Sequence, residues 1–308
     1  TSTTAGESSL MQANDAQTAG VFENAPELAL EWARAGKGAA LATVIETWGS
    51  APRRTGSMMV VSAAGDMMGS VSGGCVEGAV VLEALDALED GQPRVLEYGV
   101  ADGDAFAVGL ACGGTIRILV EPIGAAFSLE MLEALVTARA ARQAVAYAVD
   151  LSDWSRALVH EGAPEAAKYA GRFATDRSGL VPVDGTGETR EGAQRFVHIH
   201  NPPLRLAVVG AVHIAQALTP MARIAGYDRL VIDPRAAFGS AARFPDDTVS
   251  EEWPDAALGA FGLDARTALV LLTHDPKLDD PALHVALHLH SLDLKLAVLD
   301  LHGSSARA

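Results

Sequence analysis

The sequence is short of cysteine, of basic charge and of long apolar runs, and each shortage excludes a class of protein. Two cysteines in 308 residues do not make a disulfide scaffold. They indicate free thiols in a reducing cytoplasm, although one disulfide between them stays an alternative. With 23 basic and 39 acidic residues, the net charge of -16 disfavours nucleic acid and anionic membranes as partners. Apolar runs such as 268–272 are far shorter than the roughly 18 residues of a membrane helix.

Familiar catalytic and targeting motifs are also missing. The sequence has no serine nucleophile elbow, no HExxH helix and no Walker loop, so the chemistry of those enzymes is not indicated. Residues 1–20 lack the basic segment and apolar stretch of a secretory signal. The spacing of His198 with His200, and of His284 with His288, allows metal ligation. Without accompanying cysteines or carboxylates, the sequence favours packed or surface histidines.

The hydrophobic pattern changes near residue 201, which predicts two domains. Apolar residues make up 49% of the chain, enough for two cores. Residues 1–24 are predicted to be a disordered tail, and residues 25–200 an α/β domain in which 153–195 has no clear period. After the prolines of Asn201-Pro202-Pro203, alternating strands and helices are typical of a doubly wound, parallel, Rossmann-like sheet over 201–308. The predicted strands are 41–47, 58–62, 67–71, 94–98, 115–121, 144–149, 206–209, 229–232 and 268–273, and the predicted helices are 26–35, 76–88, 130–142 and 214–225.

Both cysteines stand next to a pair of glycines, in Gly73-Gly74-Cys75 and in Cys112-Gly113-Gly114. Glycine pairs let the backbone approach a ligand, and a thiol beside them stays accessible. The order strand, loop, helix places Cys75 at a helix N-terminus, where the dipole and free N–H groups would stabilise a thiolate or an anionic ligand. The alternative is a tight turn with Cys75 as a small core residue. Since both loops adjoin strand ends, they could face one pocket.

Two charged positions accompany these loops. Arg53 lies with Arg54 between two predicted strands, where a guanidinium can bind phosphate or carboxylate through paired hydrogen bonds. The alternative is a pair of solvated surface arginines. Glu77 follows Cys75 by two residues, and it either accepts from a ligand amide or, by default, complements the helix N-terminus.

A second candidate site lies in the Rossmann-like half. The turn 208–215 keeps only Gly210 of the dinucleotide-binding glycine pattern, and Val212 stands where the backbone must approach a pyrophosphate. The acid expected after the next strand is present as Asp233. NAD(P) is therefore an alternative ligand, and the fold is better supported than the nucleotide. The candidate residues at the carboxyl edge of this sheet are Gly210, His213, Asp233, Arg235, His274 and Asp275.

Five segments taken together resemble one protein family. They are 46–53, 69–77 with its Ser-Gly-Gly-Cys-Val-Glu run, 112–114, 233–235 and 273–275. They are similar to the XdhC/CoxI family of accessory factors for xanthine dehydrogenase and related molybdenum hydroxylases. The resemblance implies an N-terminal XdhC-type domain, a C-terminal Rossmann domain, and a maturation factor rather than an enzyme. Such a chaperone binds molybdenum cofactor, assists its sulfuration by a partner sulfurase (a cysteine desulfurase) and inserts it into the apo-enzyme.

The resemblance also implies which residues meet the cofactor. Glycine-loop N–H groups and Arg53 would hold its anionic parts, and Cys75 or Cys112 would approach the molybdenum or protect its sulfido ligand. The implied cofactor-binding residues are Arg53, Ser72, Gly73, Gly74, Cys75, Glu77, Cys112, Gly113 and Gly114. The chain departs from the family pattern at Val212 and after Pro281, where only Gly303-Ser304 remains of a longer glycine-containing stretch, as expected of a truncated or altered C-terminus.

Two other functions stay open at this point. One is a nicotinamide-dependent oxidoreductase that uses the Rossmann half. The other is an interaction protein that bridges sulfurase and dehydrogenase without holding the cofactor. The sequence does not specify the client enzyme, the mononucleotide or dinucleotide form of the cofactor, or the oligomeric state, for which a homodimer is one expectation.

Overall fold

The chain divides into two compact units, Thr1–Pro202 and Pro203–Ala308. The division falls within the Asn201-Pro202-Pro203 segment, where the sequence analysis placed the domain boundary. The structure, a computed structural model, describes residues 24–51, 53–99, 113–182 and 194–290.

Several sequence predictions lie outside the described residues. They concern the tail up to residue 23, Cys112, and Gly303-Ser304. Among the helices within the described ranges, none has both the length and the apolarity needed to cross a membrane.

The first unit contains two antiparallel sheets and the helices that cover them. The first sheet has the order β3-β2-β1-β5-β4, and the second has the order β7-β6-β9-β8. The elements are α1 (Ala25–Arg34), β1 (Ala40–Trp48), β2 (Met58–Val61), β3 (Met67–Gly69), α2 (Glu77–Asp90), β4 (Arg94–Tyr98), β5 (Thr115–Pro122), α3 (Leu129–Ala140), β6 (Val145–Asp150), β7 (Arg156–His160), a 3₁₀ helix (Pro164–Tyr169), α4 (Ala170–Thr175), β8 (Gly179–Pro182) and β9 (Gln194–His200).

Strand β1 is the centre of the first sheet and is buried on both faces over most of its length. Ala40 and Ala42 pack into a core shared with α2, while Leu41 and Ile45 pack into a second core shared with α1 and α3. Because helices and the second sheet cover its faces, this sheet leaves its strand ends and connecting loops to carry a site.

The second sheet contains strands that the sequence analysis did not find. The segment 153–195 showed no clear period, whereas the structure places β7 and β8 within it. Both are half-exposed edge strands of four or five residues, so they lack the apolar alternation by which a strand is recognised. The buried Glu121 of β5 joins the two sheets, since it accepts hydrogen bonds from Tyr147 (2.9 Å) and from Arg156 Nε (2.8 Å).

The second unit is a parallel sheet with helices on both faces, which confirms the predicted Rossmann fold. Its strand order is β12-β11-β10-β13, and all three pairings are parallel. The chain reverses its direction of winding between β10 and β13, where open α/β sheets bind ligands. The elements are β10 (Arg205–Val209), α5 (His213–Ile224), β11 (Asp228–Ile232), β12 (Val249–Ser250), α6 (Pro254–Phe261), β13 (Thr267–Leu271) and α7 (Pro276–His290). The sequence pattern does not predict β12, α6 or α7.

Candidate functional site

The predicted site segments of the first unit meet at one edge of its first sheet. The pairing of Trp48 with Thr115, and of Gly69 with Met59, brings the ends of β1 and β3 to the edge where β5 begins. The segment after β1 then contacts both neighbours. Arg53 Nε donates to the carbonyl of Ser70 at 3.3 Å.

The segment that follows β3, Ser70 to Glu77, is called the glycine loop here. Its backbone closes around the carboxylate of Glu77. The N–H groups of Val71, Ser72 and Gly73 donate to Oε1 at 3.2, 2.9 and 3.0 Å, and the N–H of Gly74 donates to Oε2 at 2.9 Å. Four consecutive backbone donors therefore bind an anion that the chain itself supplies.

Two serine hydroxyls complete this arrangement. Ser70 Oγ donates to Glu77 Oε1 at 2.8 Å, and Ser72 Oγ donates to Glu77 Oε2. The oxygen of Ser72 also accepts from the N–H groups of Cys75 (3.0 Å) and Val76 (2.9 Å). All six backbone donors from residue 71 to residue 76 thus bind one of two side chains, Ser72 or Glu77.

These contacts lower the pKa of Glu77 to about 2. Burial by itself would raise this pKa, but hydrogen bonds from the hydroxyl and N–H of Ser72 and from the hydroxyl of Ser70 outweigh it. The carboxylate is therefore ionised throughout the physiological range.

The sequence predicts N–H groups of this loop that are free for an anionic ligand, and the structure corrects that prediction. In this conformation the donors of Gly73 and Gly74 are occupied by Glu77, because its side chain turns back from the first residue of α2. The default interpretation of Glu77, that it complements a helix N-terminus, is closer to what is seen. Ser70 was not among the predicted residues. The sequence signal that could have identified Ser70 is its place in a short loop that ends on an acid, because serine hydroxyls in such loops often bond to nearby groups of the same loop.

The accessible side chains at this end of the sheet include a thiol, an arginine and a tryptophan. Cys75 is a free, exposed cysteine. Arg53 is half-buried, and among the described residues only its Nε has a hydrogen-bond partner. Trp48, at the end of β1, is 78% exposed. A soft sulfur and a guanidinium therefore stand on neighbouring loops.

The second glycine pair packs against the segment after β1. A Cβ atom on Gly114 would lie 2.8 Å from the carbonyl oxygen of Trp48 and 3.1 Å from the N of Ala51, so no larger residue fits there. Gly113 is exposed and has a φ of +76°, a conformation that favours glycine. Gly113 and Gly114 thus lie at the same end of the sheet as the glycine loop, and Trp48, Ala51 and Arg53 supply the contacts to the two.

The candidate residues of the Rossmann unit gather at the carboxyl edge of its sheet. Gly210 follows β10 with a φ of +108°, and a Cβ atom there would lie 2.8 Å from Thr273 Cγ2. This contact places the turn after β10 against the segment that contains His274 and Asp275. His213 is the exposed first residue of α5, and His274 has a φ of +55°.

Asp233, the acid that the dinucleotide-binding pattern expects after the next strand, is fully buried and bonded to its own chain. Oδ2 accepts from the N–H of Ala211 and from Arg235 Nη2, each at 2.8 Å, and Oδ1 accepts from the N and Nε of Arg235 at 3.0 and 2.8 Å. Burial alone would raise the pKa of Asp233, but the hydrogen bonds from Arg235 and Ala211 lower it. This carboxylate fixes the turn before α5 and has no oxygen to spare for a ribose hydroxyl.

The histidine pair of β9 is part of the core. Burial lowers the pKa of His198 to about 3, helped by the positive charges of Arg139 and Arg54, and the pKa of His200 is lowered in the same way by burial, His198 and Arg139. His284 and His288 lie one turn apart on α7. Across the described residues, no group of three or more histidine, cysteine or acidic side chains is arranged to hold a metal ion.

Comparison with known proteins places these two units in one family. Residues 32–99 match the model of the XdhC and CoxI family, and residues 206–308 match the model of the XdhC Rossmann domain. The chain belongs to the XdhC/CoxI family, as the sequence resemblance predicted.

The individual relatives have sequence identities of 30% or less over most of the chain. The chain is 30% identical over 259 residues to a protein named molybdenum cofactor insertion chaperone PaoD, from Escherichia coli K12, a match that covers 84% of this chain and 66% of PaoD. It is 26% identical over 245 residues to a Bacillus subtilis 168 protein named as a probable component of xanthine dehydrogenase, covering 77% of this chain and 72% of that protein. The chain thus spans just under two thirds of PaoD.

A solved structure shares the fold. A crystal structure described as a xanthine dehydrogenase from Bacillus halodurans superposes with a TM-score of 0.66 at 24% identity, covering 89% of this chain and 81% of that chain.

Proposed function

We propose that this chain is a chaperone that binds molybdenum cofactor and inserts it into a molybdenum hydroxylase of the xanthine dehydrogenase type. The observation that carries the proposal is the exposed thiol of Cys75 on a rigidly bonded loop, next to Arg53, in a member of the XdhC/CoxI family. The relative PaoD, which is named for this activity, matches over 84% of the chain.

The accessible groups suit such a cargo. Molybdenum with its sulfur ligands is a soft centre, which a thiolate can approach, and the guanidinium of Arg53 can bind a phosphate through its terminal nitrogens. Since the N–H groups of Gly73 and Gly74 bind Glu77, we assign the phosphate to Arg53 rather than to the glycine-loop backbone. Cys112, which precedes Gly113 in the sequence, is the second candidate thiol.

The proposal extends to sulfuration of the cofactor, its delivery and the assembly of the chaperone. A chaperone that holds the cofactor with its metal side accessible would present it to a cysteine desulfurase for sulfuration and then to the apo-enzyme. We propose a homodimer as the working assembly. The client enzyme is expected to be a molybdenum hydroxylase.

The test is retention of the cofactor by the purified protein. Protein isolated from a cofactor-producing host is passed through gel filtration, and molybdenum by elemental analysis and pterin by fluorescence are measured in the protein peak. Cys75→Ala and Arg53→Ala should each reduce retention at least tenfold. Glu89→Ala, at an exposed position of α2, is the matched control and should retain the wild-type amount. Loss of retention in the control, or no retention by the wild type, would contradict the proposal.

A nicotinamide-dependent oxidoreductase is not favoured by the site. Asp233 is saturated by Arg235 and Ala211, and Val212 remains at the point of closest approach to a pyrophosphate. Titration with NADH and NADPH in a calorimeter tests this alternative directly.

A further inference from the structure

Glu77 shares the glycine loop with Cys75, yet its carboxylate is closed off from any ligand. The residue is only 6% exposed. Its Oε1 accepts from four donors and its Oε2 from two, while an ionised carboxylate offers about four lone-pair positions. No acceptor capacity is left for a cofactor.

The same carboxylate is nevertheless linked to Cys75 through one side chain. Ser72 has a single hydroxyl hydrogen, and it is donated to Glu77 Oε2. The lone pairs of Ser72 Oγ are then directed to the N–H groups of Cys75 and Val76. A carboxylate can only accept, so it fixes the direction of the Ser72 hydroxyl, and Ser72 fixes the backbone of Cys75.

The glycines explain why this link is needed. Gly73 and Gly74 have φ values of +79° and +113°, and a chain with two consecutive glycines has large conformational freedom unless other contacts restrict it. A thiol that follows such a pair binds a ligand weakly unless its backbone is already ordered, because binding must otherwise offset the entropy cost of ordering the loop. In this loop, Glu77 and Ser72 supply the restraint.

We propose that Glu77 is a positioning residue that acts on Cys75 through Ser72 and does not touch the cofactor. This inference rests on the proposed function for its consequence, cofactor retention, but the geometry of the loop can be tested without it.

Ser70 and Ser72 form a matched pair for the test. Both hydroxyls are donated to the carboxylate of Glu77, but only Ser72 also accepts from the N–H of Cys75; Ser70 accepts from the N–H of Gly73 instead. Ser70→Ala and Ser72→Ala therefore remove similar hydrogen bonds from the same anion. They differ in whether the link to Cys75 is broken.

The first measurement uses a nitroxide spin label on Cys75 in the full chain with Cys112→Ser, which leaves Cys75 as the single thiol. The electron paramagnetic resonance spectrum reports the mobility of the labelled position. Ser72→Ala and Glu77→Gln should each make the label more mobile than in the parent chain, while Ser70→Ala should leave its mobility close to that of the parent. Equal mobility in Ser70→Ala and Ser72→Ala would overturn the proposal. Circular dichroism confirms that each variant is folded.

The second measurement is a double-mutant cycle on cofactor retention. Ser72→Ala should weaken retention by about fivefold, because the backbone N–H of Cys75 loses the hydrogen bond that positions it. In a Cys75→Ala background the same change should have no further effect, because Ser72 acts through Cys75. A loss that is equally large in both backgrounds would assign Ser72 and Glu77 a purely structural role. If the wild type retains no cofactor, the proposed function fails, and the spin-label result alone decides the positioning role.

Discussion

At the scale of single residues, a buried charge determines the form of the glycine loop. Glu77 is buried, and its carboxylate binds four consecutive backbone donors of the glycine loop at the start of α2. The thiol of Cys75, two residues before this acid, is exposed. One ionised side chain therefore holds the backbone of the loop that carries the thiol.

The charge of Glu77 should make the stability of the first unit depend on pH. Its pKa is about 2 in the folded state against 4.5 in its ordinary state. The stabilisation is therefore complete above pH 4.5 and is lost as the pH falls through about 2. Glu77→Gln should lower the free energy of unfolding by roughly 2 to 3 kcal/mol at pH 7. The difference from wild type should shrink at pH 3, as measured by urea denaturation.

Glu89→Gln is the control for this measurement, because Glu89 is an exposed acid on the same helix. It should change the free energy of unfolding by no more than about 0.5 kcal/mol at either pH. A loss in Glu77→Gln of the same size at pH 7 and pH 3 would show that the carboxylate charge is not what stabilises the loop.

At the scale of elements, a buried polar group links the two sheets of the first unit, beside the apolar core that they share. Glu121 on β5 is buried and bonds to Tyr147 on β6 and Arg156 on β7. The side chain of Arg156 is 11% exposed, so removal of its partner leaves a nearly buried positive charge. Such a group is costly to leave unpaired.

Glu121→Ala should therefore lower the free energy of unfolding by about 3 to 5 kcal/mol, as for other broken buried ion pairs. The matched control is Glu133→Ala, whose partner Arg34 is 60% exposed. That change should cost less than about 1 kcal/mol, since exposed pairs contribute little. Urea denaturation of both variants makes the comparison, and equal losses would contradict the assigned role of Glu121.

The comparison of sequence and structure at this scale separates two kinds of strand. Strands β1, β5 and β10 have buried, apolar sequences and were predicted within one or two residues. Strands β7 and β8 were not, because half-exposed edge strands have no apolar alternation to detect. Their existence depends on pairing with β6 and β9, which is a long-range property.

At the scale of the whole molecule, each compact unit has cores of its own. Val80 and Leu132 belong to cores of the first unit, whereas Leu258 belongs to a core of the second. Units with separate cores often unfold in separate steps. Substitutions in one unit are then expected to act on one step.

Asp233→Asn should shift only the unfolding step of the Rossmann unit. The change removes the charge that Arg235 and Ala211 bind, and we expect a loss of about 2 kcal/mol from charge-assisted hydrogen bonds. Differential scanning calorimetry should show one transition lowered and the other unchanged. Asp246→Asn, at a side chain that is 59% exposed, is the control and should move neither transition by more than about 1 °C. A single transition that moves as a whole would contradict the independence of the units.

The sequence by itself determined the family and the α/β class of the chain, and it pointed to the glycine loops as candidate segments, because glycine pairs, cysteines and apolar periodicity are local signals. Only the tertiary structure decided which groups of those segments are already bonded within the chain. It showed that Glu77 fills the glycine loop and that Asp233 binds its own turn. It also showed that Gly114 lies against Trp48. Whether a backbone donor is free or occupied depends on the path of the chain in space, and no spacing of residues along the sequence specifies that path.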